Sequence, residues 1–459
     1  MLGAVLETPR APAPDRSSRS AALTTADDSP ALVLECMLFF QRERFVIRHL
    51  RPTLLFALFA FSLPFTAYAD GYTKPKVRAI TAFVRLQRAS YESQIDAALS
   101  VLRDTQGEFQ KQGYEVETIR IVTQPLPELV DGLSETQALG FLRSLDNLGA
   151  KESFIPNVGP AMQRDTDDPR NVRLLEKALS TLPNLQASTI IAGEDGIHWN
   201  VIKETAELVH YVAQHSPHSQ GNFNFTATAM LKPYGPFYPG TYHTGSGKNL
   251  AIGFEAANVV QEVFAHTHGD FQGSVTELTQ QLTVHAKVAE AIGEHVAAQH
   301  GWTFMGVDPT PAPLGDVSIG AAIETYTGAL FGSSGTLTAA LVITTAVKAV
   351  AVKQIGYSGL MVPVMEDKRL AQRWAEGAFN TDDLLAYSAV CGTGLDTVPF
   401  PGDISTAQMT RILGDVAALA WKWKKPLSAR LQPVQGKKAG DQTQFSSRFL
   451  FNTTLHAVP

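Results

Sequence analysis

Residues 77–84 read Val-Arg-Ala-Ile-Thr-Ala-Phe-Val, and this apolar, β-branched run predicts a strand. The amphipathic pattern of residues 91–113 predicts a helix, and residues 116–122 predict the next strand. A β-α-β opening followed by alternating elements predicts an α/β fold, layered or barrel-shaped. Further strands are expected at 187–192, 222–230 and 250–254, and helices at 198–215, 274–300, 318–330, 336–353, 368–376 and 405–424.

The first 69 residues have the order of regions that is typical of a secretory leader. Basic residues between 42 and 51 precede the apolar stretch 54–65, and Ala67 and Ala69 supply the small side chains that a signal peptidase reads. We expect cleavage after Ala69 and a periplasmic or secreted product. A retained membrane anchor is the alternative, but the stretch is shorter than the roughly 20 residues that span a bilayer. No membrane association is expected after cleavage.

Composition limits the classes of protein that remain. The 459-residue chain is 44% hydrophobic with a formal net charge of −6, which excludes a disordered chain. It has no lysine and arginine run that would form a basic stripe, so nucleic acid is not expected as a partner. No linker divides residues 70–459, and we expect a single α/β domain. A homo-oligomeric state stays open.

Three stretches in the last third combine glycine, proline and aspartate: Gly306–Asp316, Cys391–Asp403 and Gly436–Asp441. Glycine permits crowded backbone, proline fixes φ and aspartate accepts hydrogen bonds, so the combination suits a rigid binding loop. We expect the three stretches to form loops that line one pocket for a small-molecule ligand.

Carboxylates in these surroundings are candidate ligands of a divalent cation such as Mg²⁺ or Ca²⁺, which prefers oxygen. The candidates are Asp308, Asp316, Glu366 and Asp403, with Asp396 as a candidate catalytic carboxylate. Capping is the alternative for Asp316 and Asp403, because each stands just before a predicted helix.

His243 and Cys391 complete the catalytic candidates. Imidazole titrates near neutrality, so His243 is a candidate general acid or base; the alternative is a structural histidine bonded to backbone. Cys391 is the single cysteine of the expected mature chain and cannot form an internal disulfide. It is either a nucleophile or a buried, small apolar side chain.

Two features are candidate contacts for an anionic ligand. Gly335 lies in a glycine-rich loop before a predicted helix, where backbone N–H groups bind phosphate or carboxylate. Lys437 and Lys438 would add positive charge if their loop folds nearby. An ordinary helix cap and a solvated lysine pair are the alternatives.

Several ordered blocks resemble the uncharacterised bacterial and archaeal family of domain of unknown function 711. They include Pro236–His243, Gly359–Asp367, Ala389–Asp403 and Pro433–Asp441. The resemblance implies a large α/β barrel similar to that of pyruvate formate-lyase-type glycyl radical enzymes. Cys391 has a counterpart in the cysteine loop of those enzymes, whereas the C-terminal radical glycine has none here. We therefore expect no glycyl radical.

These features together predict an exported, non-radical enzyme that acts on a small anionic or metal-chelated substrate by acid–base or metal-assisted chemistry. The alternatives are a periplasmic binding protein without catalysis and an inactive barrel that serves in assembly. The reaction itself is not apparent from the residues.

Overall fold

A computed structural model describes residues 72–458, and the expected leader and cleavage site lie outside them. The strands are β1 (Lys76–Phe83), β2 (Ile119–Val122), β3 (Ile155–Pro160), β4 (Gln186–Gly193), β5 (Gly196–Ile197), β6 (Phe225–Ala229), β7 (Asn249–Glu255), β8 (Thr303–Ala312), β9 (Gly394–Pro401) and β10 (Leu427–Val434). The helices are α1 (Tyr91–Lys111), α2 (Leu126–Leu129), α3 (Glu135–Glu152), α4 (Arg170–Thr181), α5 (Trp199–His215), α6 (Ala257–Thr267), α7 (Phe271–Gln299), α8 (Ile319–Thr327), α9 (Thr336–Ala349), α10 (Lys368–Ala375), α11 (Thr381–Val390) and α12 (Thr406–Trp423), with a 3-10 helix at Pro217–Asn224.

The strands form one mixed sheet in the order β8-β7-β1-β2-β3-β4-β6-β10-β9, with β5 paired to β4. The pairs β1–β2, β2–β3, β3–β4 and β4–β6 are parallel, as expected for strands joined by helical crossovers. β7 is antiparallel to β1, and β10 is antiparallel to β6. The predicted α/β class is confirmed.

The β-α-β opening follows from local pattern. Ile95, Leu99, Leu102 and Phe109 recur on one side of α1 and are buried, together with Ala98, Val101 and Thr105. β1 pairs with β2 in parallel, from Ile80 opposite Ile119 onward. Among residues 72–458, no helix is long and apolar enough to cross a membrane.

Two of the three expected glycine and aspartate loops are strands. Gly306–Asp316 falls largely in β8 and Cys391–Asp403 largely in β9, whereas Gly436–Asp441 is a loop after β10. The loop prediction is wrong for these two stretches, because glycine, proline and aspartate also occur in strands at the ends of a sheet. β8 and β9 are the two ends of the strand order, and proline is tolerated on edge strands because no neighbour there needs its missing N–H.

An irregular segment connects these two edge strands. Gln354 bridges to Val307 of β8, and Pro363 bridges to Asp396 of β9. The N–H of Val364 donates to the carbonyl of Asp396 at 3.0 Å. The sheet therefore curves so that its opposite ends are joined through residues 354–364, which gives it a barrel-like interior.

Candidate functional site

The sheet curves around a cavity with an open mouth and about 90 Å³ of water-accessible space. Strands from the middle of the sheet and from both of its ends contribute side chains to the same wall. This interior is the place where a barrel-shaped α/β protein can hold a ligand. The polar contributors include Arg78 of β1, Arg120 of β2, Gln186 of β4, Thr226 of β6, Asp396 of β9 and Arg430 of β10.

The segment Pro236–His243 enters the cavity wall and is held by three strands. Thr81 of β1 donates its hydroxyl to the carbonyl of Pro236 at 2.9 Å, and the Asn157 amide of β3 donates to the carbonyl of Pro239 at 2.7 Å. A Cβ atom on Gly240 would lie 2.7 Å from a methyl carbon of Thr228 on β6. Any larger residue would have to displace neighbouring side chains, so Gly240 lets the segment lie close to the strands, with Tyr238 at the cavity.

A buried ionic chain crosses the interior from β1 to β9. Arg78 Nη2 lies 3.1 Å from Glu366 Oε2, and Arg430 Nη2 contacts the other oxygen of Glu366. Arg430 Nε in turn lies 2.5 Å from Asp396 Oδ1. Burial lowers the pKa of Arg430, but the charges of Asp396 and Glu366 outweigh it and leave that pKa above its ordinary value.

The outer end of this chain carries two further carboxylates. Arg78 Nη1 lies 2.9 Å from Glu117 and 3.4 Å from Glu255. Burial raises the pKa of Glu255 to about 8, and the neighbouring Glu117 adds to that rise. Glu255 therefore holds a proton at neutral pH, which limits the negative charge around Arg78.

Arg120 differs from the other two arginines because no described carboxylate pairs with it directly, although the charges of Glu117 and Glu366 act on it from farther away. Arg120 is only 6% exposed, and its Nε donates to Thr118 Oγ1 at 2.9 Å. The guanidinium carbon lies 4.6 Å from the centre of the Tyr238 ring, in cation–π contact. Within residues 72–458 no carboxylate lies within 4.0 Å of it. Burial, aided by the charge of Arg78, lowers the pKa of Arg120 to about 10, so it remains a cation at neutral pH.

One phenol and one carboxylate oxygen add unused hydrogen-bonding capacity, whereas the Tyr357 hydroxyl is hydrogen-bonded to Ser428. Burial raises the pKa of both Tyr238 and Tyr357, so each phenol keeps its proton and donates. The Tyr238 hydroxyl has no hydrogen-bond partner in the described chain. Asp396 uses Oδ1 for Arg430, and its Oδ2 is not bonded to any described residue. The wall thus presents free donors and a free acceptor to a ligand.

The remaining predicted carboxylates lie elsewhere. Asp308 is fully buried and accepts from the backbone N–H groups of Thr310, Tyr357 and Ser358, so its role is to hold the segment after α9. Burial raises its pKa to about 6. Asp316 has an 85% exposed side chain paired with Lys368, and Asp403 is exposed after β9. In the described chain no group of three or more histidine, cysteine or acidic residues could hold a metal ion, so the four candidates do not converge.

Neither Asp316 nor Asp403 caps a helix. Ser318 and Ser405 are the N-cap residues of α8 and α12, with side chains that accept from the backbone three residues on. The neighbouring Asp367 does cap, since it accepts N–H donors from the first turns of both α8 and α10.

His243 and Cys391 are both buried but are not part of the cavity wall. Neither ring nitrogen of His243 makes a hydrogen bond to a described residue, and the ring lies against Phe83 and Tyr234. Burial lowers the pKa of His243 and raises that of the Cys391 thiol. Thr393, two residues after Cys391 in the chain, does line the cavity.

The predicted anion contacts are also apart from the cavity. Gly335 is the N-cap residue of α9 and packs against Thr327. Lys437 is partly exposed and its carbonyl accepts from Gly402, while Lys438 is exposed and its N–H donates to Asp441. Of the sequence candidates, only Glu366 and Asp396 are brought together.

Three arginines of the cavity wall are absent from the sequence candidates. Arg78, Arg120 and Arg430 each lie between apolar neighbours within a strand, in the runs Val-Arg-Ala-Ile, Ile-Arg-Ile-Val and Ala-Arg-Leu. Arginine is rarely buried without a partner, so a lone arginine inside a predicted strand is a signal that could have identified them.

Comparison with known proteins gives a family but no reaction. A UPF0210 protein of Pyrobaculum aerophilum is 31% identical over 350 residues, which cover 72% of this chain and 76% of the relative. A UPF0210 protein of Actinobacillus succinogenes is 27% identical over 354 residues, which cover 73% and 77%.

Among solved structures, the anaerobic ribonucleotide reductase from Thermotoga maritima with citrate in the active site matches with a TM-score of 0.34 and 7% identity. The match covers 77% of this chain and 80% of the reductase. The family model described as Uncharacterised ACR (DUF711) matches residues 72–446, and the chain belongs to this family.

Proposed function

We propose that this protein binds a small organic anion in the cavity inside its sheet, with Arg120 as the main charged contact. The supporting observation is that Arg120 is a buried cation without a carboxylate partner among the described residues, next to an unused phenol on Tyr238. A buried charge without a counterion is costly, and an anionic ligand would remove that cost. Guanidinium also matches carboxylate and phosphate geometry.

We further propose that the protein acts on this ligand by acid–base chemistry and without a radical. Asp396 and Glu366 offer carboxylates at the cavity, and Tyr238 and Tyr357 offer phenolic protons. A divalent cation, if one takes part, would have to arrive with the ligand, because the described residues supply no three-ligand set. The alternative is a binding protein without catalysis. Enclosure of the cavity by strands of one sheet favours the enzyme, since a two-lobed binder holds its ligand between lobes.

Calorimetry tests the anion site. Inorganic phosphate, acetate and 3-phenylpropionate would be titrated into the wild type, Arg120→Gln and the matched surface variant Arg143→Gln, whose arginine is exposed on α3. At least one anion should bind the wild type and Arg143→Gln equally well. Binding to Arg120→Gln should be weaker by about tenfold or more, the effect of losing a charged hydrogen bond. Equal binding to Arg120→Gln would contradict the proposal.

Export remains part of the proposal, with the mature chain beginning at Asp70. Its support is the order of basic, apolar and small residues before that position. N-terminal sequencing of the protein from its native host is the test, and a cytosolic species that keeps residues before Asp70 would refute it.

A further inference from the structure

The cavity leaves two opposite kinds of hydrogen-bonding group unused. The Tyr238 hydroxyl is buried without a hydrogen-bond partner among residues 72–458, and the side-chain hydrogen bond of Arg120 there is from Nε to Thr118, which leaves its terminal nitrogens for a ligand. Asp396 Oδ2 is an acceptor that no described residue donates to. A ligand with an acid group alone would satisfy the donors and leave Asp396 Oδ2 unfilled in a largely buried site, which is unfavourable.

Asp396 is held so that this oxygen stays available. Arg430 Nε binds its Oδ1, and Arg430 is itself held by Glu366. The backbone carbonyl of Asp396 accepts from Val364 at 3.0 Å, which fixes the strand on the side of the connecting segment. One carboxylate oxygen therefore orients the group and the other remains free for a ligand.

The wall also has an apolar part. The rings of Phe223 and Phe449 are stacked with centroids 6.3 Å apart and an angle of 21° between their planes. Phe237 and Met361 line the same cavity, and the Arg430 guanidinium carbon lies 5.2 Å from the centre of the Phe223 ring. Aromatic and thioether side chains bind apolar groups by area and polarisability.

We propose that the ligand has two functional groups on an apolar body: an acid group for Arg120 and a hydroxyl or ammonium group that donates to Asp396. This rests on the proposed function, since it assumes that the cavity binds an anion. It narrows the substrate class to hydroxy acids and amino acids that carry an apolar or aromatic side chain. Simple acids are thereby excluded as the preferred ligands, because they lack the donor.

Four probes of similar size separate these classes. 3-Phenylpropionate has the acid and the ring alone, 3-phenyllactate and 3-hydroxy-3-phenylpropionate add a hydroxyl at either of two positions, and phenylalanine adds an ammonium group. Each would be titrated into the wild type, Asp396→Asn, Arg120→Gln and the matched surface variant Asp131→Asn, whose carboxylate is exposed.

The wild type and Asp131→Asn should bind at least one hydroxylated or aminated probe about tenfold more tightly than 3-phenylpropionate, the effect of one charge-assisted hydrogen bond. Asp396→Asn should remove most of that preference and still bind 3-phenylpropionate within about twofold of the wild type. Retained binding of this probe also shows that the variant keeps its cavity.

Failure of the inference and failure of the proposed function look different. Equal affinity of the wild type for all four probes, or an equal loss for all four in Asp396→Asn, would overturn the inference and leave the anion site intact. Absence of binding by all four probes would overturn the inference. If phosphate and acetate also fail to bind, or if Arg120→Gln weakens no binding, the proposed function fails with it.

Discussion

Replacement of Arg120 by methionine should stabilise the ligand-free protein and at the same time remove anion binding. The pKa of Arg120 is about 10 in the fold against an ordinary 12.5, and burial is the main cause. At 1.36 kcal/mol for each pKa unit, the charged guanidinium costs the fold roughly 3 kcal/mol. Methionine would lose the hydrogen bond to Thr118 and the cation–π contact with Tyr238, worth about 1–2 kcal/mol together. The net expected gain is about 1–2 kcal/mol.

Denaturation in urea at neutral pH measures this gain as a change in the free energy of unfolding. Because the pKa of Arg120 is lower in the folded than in the unfolded chain, the cost is fully present below about pH 10 and is relieved only as the pH rises further. The gain should therefore be constant from about pH 6 to about pH 9.

Arg430→Met is the matched comparison, because Arg430 is an equally buried arginine with carboxylate partners. Its removal leaves Asp396 without a cation and Glu366 with only Arg78, so a loss of about 3–5 kcal/mol is expected. A comparable loss in Arg120→Met would refute the reasoning and would identify Arg120 as a structural residue.

Three further predictions test the structural assignments. Asp367→Ala should lower the free energy of unfolding by about 3 kcal/mol or more, because it leaves N–H groups of α8 and α10 unsatisfied. Asp316 is exposed, so Asp316→Ala should change the free energy of unfolding by under about 0.5 kcal/mol. Equal effects of the two substitutions would contradict the capping role of Asp367. Burial raises the pKa of Glu255 to about 8, so the stability that its bound proton contributes is full below the ordinary pKa of 4.5 and is lost as the pH rises toward 8. The melting temperature of Glu255→Gln should therefore change less between pH 4.5 and pH 8 than that of the wild type. A pH profile identical to that of the wild type would contradict this assignment. Gly240→Ala should cost about 1–3 kcal/mol and weaken ligand binding, as measured by urea denaturation and calorimetry, because its Cβ would lie 2.7 Å from Thr228; a neutral result would show that the segment is loosely held.

Local pattern was sufficient for much of the fold. The first strand, α1 and the long α7 each begin and end within a few residues of the predicted bounds, because apolar periodicity is a local property. α3 was not assigned although its signal is present, since Ser134 and Gln137 form a capping box at its start. β8 and β9 were mistaken for loops because the tolerance of an edge strand for proline depends on strand order, which is not a local property.

The candidate site was less accessible to sequence reasoning. Glu366 and Asp396 were found as carboxylates in glycine-rich surroundings, but the arginine that joins them was not. Arg78 and Glu366 are 288 residues apart in the chain and meet only because of the order of the strands and the path of the connecting segment. An ion pair between residues so far apart cannot be predicted from their spacing in the sequence. An arginine between apolar residues of a strand can be recognised in the sequence.

The buried charged residues of this interior differ in whether other residues of the fold use all of their hydrogen-bonding atoms. Asp308 and Asp367 are buried as deeply as any group of the cavity, yet backbone N–H groups occupy both oxygens of each, so their charges are used within the fold. Arg120, Tyr238 and Asp396 each keep an unused donor or acceptor, and all three face one cavity. Since apolar side chains of similar volume are often at least as stable as buried charges, stability does not explain this lining. A ligand with complementary acid and donor groups does.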